Sequence, residues 1–169
     1  MLEAIVKAKQ QEVMNLRAVL DTQSIAPVPP AFDPCGCLRG KSPLVKVIAE
    51  VKKASPVKGV LCKDFSPGAL AKTYEANGAG FISVITDKTF FQGSPDYLSE
   101  VKRQAKIPVL RKDFIIDEIQ LYESVVLGAD LVLLIAAIND YATLLRLTEQ
   151  SLKLNLAPLL EIHSEEELK

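Results

Sequence analysis

The chain has 169 residues, with 20 basic and 21 acidic side chains, 49% apolar residues and 6% aromatics. That length and apolar content suit one globular domain and exclude a disordered chain, and a formal charge of −1 offers nucleic acid no electrostatic footprint. The longest apolar run, the eight residues Leu131–Ile138, is far short of the ~20 a membrane helix needs, and Glu3, Lys7 and Lys9 interrupt any signal-peptide core. The expectation is a soluble, cytoplasmic protein with no nucleic-acid and no membrane partner.

The first 43 residues differ in texture from the rest. Ile5, Val6, Val13, Leu16 and Leu20 roughly follow a 3.6 period, which predicts a helix. A breaker-rich stretch follows, from Ala26-Pro27-Val28-Pro29-Pro30 through Asp33-Pro34 to Cys35-Gly36-Cys37, and reads as a loop or clamp. Residues 1–43 are therefore read as an N-terminal helical extension with a proline-rich loop. The third cysteine, Cys62, stands alone, so reduced thiols are expected, and a single histidine, His163, leaves no workable zinc set.

From residue 44 to 169 the pattern becomes regular. Continuous apolar runs at Val45–Val51, Phe81–Thr86, Pro108–Leu110, Leu131–Ile135 and Ala157–Ile162 predict five parallel strands buried on both faces. Helices are expected between them. Ser66-Pro67 opens one that ends at Asn77-Gly78, and Asp117 caps another that ends at Leu127-Gly128. Asn139 is read as the cap of a further helix, and Ser164 with Glu167 as a capping box. Alternating β and α units of ~25–35 residues mean a parallel sheet, either doubly wound or part of a (β/α) barrel. No Gly-x-Gly-x-x-Gly or P-loop follows the first strand, which favours the barrel, although five strands also fit a flavodoxin-like sheet.

Charges gather where the strands end. Glu50 and Lys52 are two apart and so share a strand face; Arg111-Lys112-Asp113 closes the third strand and Glu161-Ile162-His163 the fifth. Any one of these fits the solvated boundary of a buried run. Three together, one carrying Glu-x-Lys, point to an acid–base site at the mouth of a barrel. The basic loop Lys52–Gly59 could meet a phosphate or carboxylate or be a solvated turn, and Phe90-Phe91 suits a binding mouth or a core contact. His163 is assigned a surface or capping role.

These residues resemble the indole-3-glycerol phosphate synthase family. The resemblance is carried, in order, by Ala49-Glu50-Val51-Lys52-Lys53-Ala54-Ser55-Pro56 with Lys58-Gly59, and by Ser83-Val84-Ile85-Thr86-Asp87 with Phe90-Phe91-Gln92-Gly93-Ser94. Pro108–Ile115, Gly128-Ala129-Asp130 with Leu133-Leu134-Ile135, and Leu160-Glu161-Ile162-His163 continue it. Val57 departs from it, where the family commonly has a second serine.

The resemblance implies an α/β fold, an incomplete (β/α)8 TIM barrel, and a lyase of tryptophan biosynthesis that uses no cofactor and no metal. The implied substrate is phosphorylated: 1-(2-carboxyphenylamino)-1-deoxyribulose 5-phosphate, which closes its ring with loss of CO2 and water. By the same resemblance Lys112 is the general acid, Glu161 the general base, Lys52 the partner of the substrate carboxylate and Glu50 the group that orients the lysines. Ser55, Phe91, Phe114 and Leu133 match positions that shape the substrate pocket. The family continues with three more strands and a glycine-rich phosphate grip. Two readings therefore stand side by side: an enzyme site completed by a C-terminal segment, and a non-catalytic, self-associating fragment.

Overall fold

The structure, a computed structural model, describes residues 1–27, 29, 32–33, 36 and 45–168. Cys35, Cys37 and the expected boundary between residues 43 and 44 lie outside the described residues. Helix α1 (Leu2–Val19) comes first, then strand β1 (Ile48–Val51) and a hairpin of β2 (Ala54–Ser55) with β3 (Gly59–Val60). There follow α2 (Pro67–Ala76), β4 (Phe81–Ile85), α3 (Pro95–Gln104), β5 (Val109–Lys112), α4 (Glu118–Leu127), β6 (Leu131–Ile135), α5 (Tyr141–Lys153) and β7 (Ala157–Glu161). Among the described residues no helix is long and apolar enough to cross a membrane.

Five strands form one parallel sheet in the order β1-β4-β5-β6-β7. That order follows the chain without reversal, so there is no switch point and the doubly wound alternative is set aside. The two sheet faces are occupied differently. Val51, Ile82, Val84 and Val109 pack against Ala71, Leu98 and Val101 of the helices, and Val132 and Leu134 pack against Leu121 and Leu147. The opposite face buries Phe81, Leu110, Leu131, Leu133 and Ile135 against one another. Helices α2 to α5 thus cover one side of the sheet and the other curls inward, which is the geometry of a barrel segment. Each large apolar side chain buried this way contributes roughly 1.5–3 kcal/mol.

Several boundaries moved for identifiable reasons. The first strand starts at Ile48 rather than Val45, because pairing begins only at the Val47 carbonyl, which accepts from the Gly80 amide at 2.9 Å. The third strand starts after Pro108, which has no N–H to donate, and runs on through Arg111 and Lys112. The basic loop after β1 contains the antiparallel pair Ala54↔Val60 and Ser55↔Gly59.

The helix ends are local chemistry. Asp117 and Gln120 form a full capping box on α4, and Gly128 closes that helix with φ +85°, a left-handed conformation that glycine adopts without strain. Asp140, not Asn139, caps α5 by accepting from the Thr143 amide at 2.8 Å. The Asn139 amide instead donates to the Ile115 and Ile135 carbonyls. Ser66 occupies the cap position of α2 without a side-chain bond, and Glu100 from α3 accepts from the Gly68 amide in its place. Ser164 accepts from the Glu167 amide, while the Glu167 carboxylate takes the His163 amide.

Candidate active site

The strand register decides which side chains face the curled interior. Glu50 is level with Ser83, which is level with Leu110; one step of the pleat further on, Ile85 is level with Lys112. Leu131, Leu133 and Ile135 continue the same face of β6, and Ile135 is level with Glu161 on β7. Side chains two apart on a strand share a face, so Glu50, Lys112 and Glu161 all meet the inner side at the carboxyl ends of their strands. Lys52 follows β1 directly.

These residues converge on a cavity of about 210 Å³. Glu50, Lys52, Lys112 and Glu161, with Asp87 and Asp113, supply its polar lining, and Ile85, Phe91, Phe114, Leu133 and Ile135 its apolar lining. The Phe91 and Phe114 rings are tilted with centroids 6.2 Å apart, close enough for a shared aromatic wall. Ser55 does not line this cavity. It sits in the β2–β3 hairpin, where its Oγ accepts from the Lys58 amide at 3.1 Å.

Glu50 is the electrostatic centre. Lys112 Nζ donates to its Oε2 at 2.7 Å, and Lys52 Nζ donates to its Oε1. The Tyr74 hydroxyl of α2 donates to the Glu50 carbonyl at 3.2 Å, fixing the backbone beneath the carboxylate. Burial alone would raise the Glu50 carboxyl, but hydrogen bonds and charge from Lys112 and Lys52 outweigh it and hold the group below the ordinary carboxylate range. It is therefore a carboxylate at neutral pH, shared by two ammonium groups. On the far wall Glu161 Oε1 is 3.5 Å from Nε2 of the exposed His163.

A second ionic cluster, which the sequence reading missed, borders the same cavity. Asp87 and Asp113 follow β4 and β5, and both line the pocket. Lys9 of α1 reaches them, with Nζ 2.8 Å from Asp113 Oδ1 and 3.2 Å from Asp87 Oδ2. Asp113 Oδ2 also accepts from Thr86 Oγ1 at 2.5 Å and Arg111 Nη2 at 3.1 Å. Arg111 points to the helix side, where it meets Glu123 at 2.6 Å and the Gln120 carbonyl at 3.0 Å. Burial would raise the Asp113 carboxyl, but Arg111 and Lys9 more than offset it and bring it to about 2. The available signal was Lys9 itself, four residues from both Ile5 and Val13 on the buried stripe of α1.

A parallel sheet curled inward, with its helices outside and an acid–base cluster at the carboxyl ends of its strands, defines a protein of the (β/α)-barrel class. The particular family follows from comparison with known proteins. A model of the indole-3-glycerol phosphate synthase family matches residues 2–169. Indole-3-glycerol phosphate synthase of Neisseria meningitidis serogroup C / serotype 2a is 45% identical over 99% of this chain and 67% of its own length. The enzyme of the same name from Chlorobium phaeobacteroides is 42% identical, over 99% and 66%, and that from Halalkalibacterium halodurans 45% identical, over 99% and 63%. The chain belongs to the indole-3-glycerol phosphate synthase family, whose members are tryptophan-biosynthesis enzymes. It spans about two thirds of the length of these relatives.

Proposed function

We propose that this chain carries the acid–base part of an indole-3-glycerol phosphate synthase site, acting on 1-(2-carboxyphenylamino)-1-deoxyribulose 5-phosphate. The observation that carries the reading is one carboxylate, Glu50, shared by Lys52 and Lys112 at a cavity walled by Phe91 and Phe114. The aryl carbon bearing the carboxylate bonds to the ribulose carbonyl carbon, and the carbonyl oxygen takes its proton from Lys112 Nζ. A positioned ammonium both donates the proton and stabilises the developing charge. The bond to the carboxylate then breaks, releasing CO2 and restoring the aromatic ring. The new hydroxyl leaves as water after taking a second proton from Lys52 Nζ, which the loss of CO2 has freed from the substrate carboxylate, while Glu161 as general base removes one from the carbon beside nitrogen.

Lys52 pairs with the substrate carboxylate and sets the ring's orientation, a contribution of several kcal/mol to such a barrier. Glu50 orients both ammonium groups and remains ionised beside them. Phe91, Phe114 and Leu133 pack on the aromatic ring, while Ser55, which lies off the cavity, holds the hairpin beside it by accepting from the Lys58 amide. The test is to give the purified chain this substrate, alone and mixed with the C-terminal third of the Neisseria meningitidis relative, and to follow indole fluorescence. Product in the mixture is expected. No product under either condition contradicts the reading.

A second reading rests on the sheet edges. Among the described residues β1 and β7 each pair on one side only, and Val47, Ile48 and Leu160 are exposed there. Half-paired apolar edges favour addition of further strands, so the chain associates with itself until a completing segment binds. Size-exclusion chromatography tests this: a clean monomer of the isolated chain contradicts it.

A further inference from the structure

Helix α1 presents a buried stripe in which Ile5 and Val13 flank a lysine rather than a third apolar residue. A fully buried ammonium is costly unless its charge is matched, and Lys9 meets three carboxylates: Glu12 at 2.7 Å, Asp113 at 2.8 Å and Asp87 at 3.2 Å. Glu12 belongs to the same helix turn. The other two belong to different βα loops, and each grips the backbone of its own loop at an aromatic residue, Asp87 at Phe90 and Phe91 and Asp113 at Phe114. Asp87 Oδ1 accepts from the Phe90 and Phe91 amides at 2.7 and 3.1 Å, and its carbonyl from the Gly93 amide at 2.7 Å. Asp113 Oδ1 accepts from the Phe114 amide at 2.8 Å. Among the described residues no hydrogen bond reaches Asp87 Oδ2, so the Lys9 charge is what compensates it.

We propose that Lys9 is a positioning residue: one ammonium from the N-terminal helix ties Asp87 to Asp113 and so sets the spacing of the Phe91 and Phe114 rings that clasp the substrate's aromatic ring. The ligand part of this rests on the function proposed above; the tie between the two loops does not. Without Lys9 nothing bridges Asp87 to Asp113, the loops after β4 and β5 separate, and the aromatic wall opens. Arg111 continues to hold Asp113 from the helix side, so the loosening concentrates at the loop after β4. Lys9 touches no reacting atom, and its effect reaches the ligand only through the two aspartates.

Because Lys9→Met alone strands a buried carboxylate, the test pairs it with Asp87→Asn, which is isosteric and can still accept from the Phe90 and Phe91 amides. The full chain, this double variant and Lys9→Arg are compared by two readouts. Hydrogen exchange at the Phe91 and Phe114 amides is measured against the amides of β6, and affinity for 2-aminobenzoate is measured by its own fluorescence. The double variant is expected to exchange about tenfold faster at Phe91, with a smaller rise at Phe114 and β6 unchanged, and to bind 2-aminobenzoate about tenfold more weakly. Lys9→Arg, which keeps the charge, should recover part of both. Wild-type exchange at the two amides overturns the proposal, and so does a uniform rise that includes β6, since that is loss of stability alone. Absence of 2-aminobenzoate binding by the unaltered chain overturns the functional reading and the ring-clasping role, while exchange still decides whether Lys9 ties the loops.

Discussion

Lys112 Nζ lies 2.7 Å from Glu50 Oε2 although their strands are not neighbours: β4 runs between them, and the two side chains meet above it. Neighbouring strands are about 4.8 Å apart, so the pair spans two strand spacings, and the inward curl of the sheet helps close that gap. With Lys52 on the other carboxylate oxygen, Glu50 holds two ammonium groups at one mouth. Glu50→Gln keeps the shape and removes the charged acceptor to which both lysine side chains donate, leaving their amines freer to react. Lys52 and Lys112 should then acylate faster, as read by peptide mass spectrometry after brief treatment with an amine-reactive reagent. Unchanged labelling at both would show that the carboxylate does not govern them.

Asp113 carries the clearest acid-linked stability. Its carboxyl stands at about 2 against an ordinary 3.8, so folding favours the ionised form. That contribution, about 2 kcal/mol, is fully present above pH ~4 and is lost as pH falls through the folded value near 2. Asp113→Asn removes it at every pH and leaves Lys9 and Arg111 with less compensating charge. Urea unfolding at pH 7 should show a loss of about 3 kcal/mol, and the variant's stability should fall less than the wild type's between pH 5 and 2.

Gly93 closes the loop that carries Phe91. A Cβ there would collide with the Ile85 carbonyl oxygen and come within 2.8 Å of the Asp87 carbonyl oxygen, both rigid backbone atoms at the cavity edge. Gly93→Ala therefore forces the loop outward. A loss of about 1–3 kcal/mol in urea unfolding is expected, together with weakened binding of 2-aminobenzoate.

The two helix starts make a matched comparison. Asp117 accepts from the Ile119 amide, completes a capping box and pairs with Arg17 of α1 at 2.7 Å, whereas the Ser66 side chain makes no cap bond. Asp117→Ala should cost about 1–2 kcal/mol and Ser66→Ala less than about 0.5 kcal/mol, both read by urea unfolding. Equal losses would contradict the capping geometry.

Much of the site was legible because a strand has period two. Glu50 and Lys52 had to share a face, and continuous apolar runs marked the five strands, but only β4 and β6 are buried throughout. The expected burial of β1 and β7 on both faces fails because, among the described residues, each pairs on one side only. What a linear pattern does not hold is reach. Nothing in Glu50-Val51-Lys52 says that Lys112, sixty residues on, will bond the same carboxylate, because that depends on how the sheet curls. The β2–β3 hairpin was illegible for another reason: its strands have two residues each, too few to show any period. Lys9 lies between these cases. On a helix a lysine usually reads as solvated, and only its place between Ile5 and Val13 betrays burial. Its partners, Asp87 and Asp113, stand beside residues that drew attention for other reasons.

The central claim is that Lys112, held by Glu50, is the acid of ring closure. The most direct measurement is the rate of indole fluorescence from 1-(2-carboxyphenylamino)-1-deoxyribulose 5-phosphate, with wild-type and Lys112→Ala chains compared side by side in the completed mixture. Product should form with the wild type and slow by about 10²- to 10⁴-fold with Lys112→Ala. Equal rates from the two chains would contradict the claim.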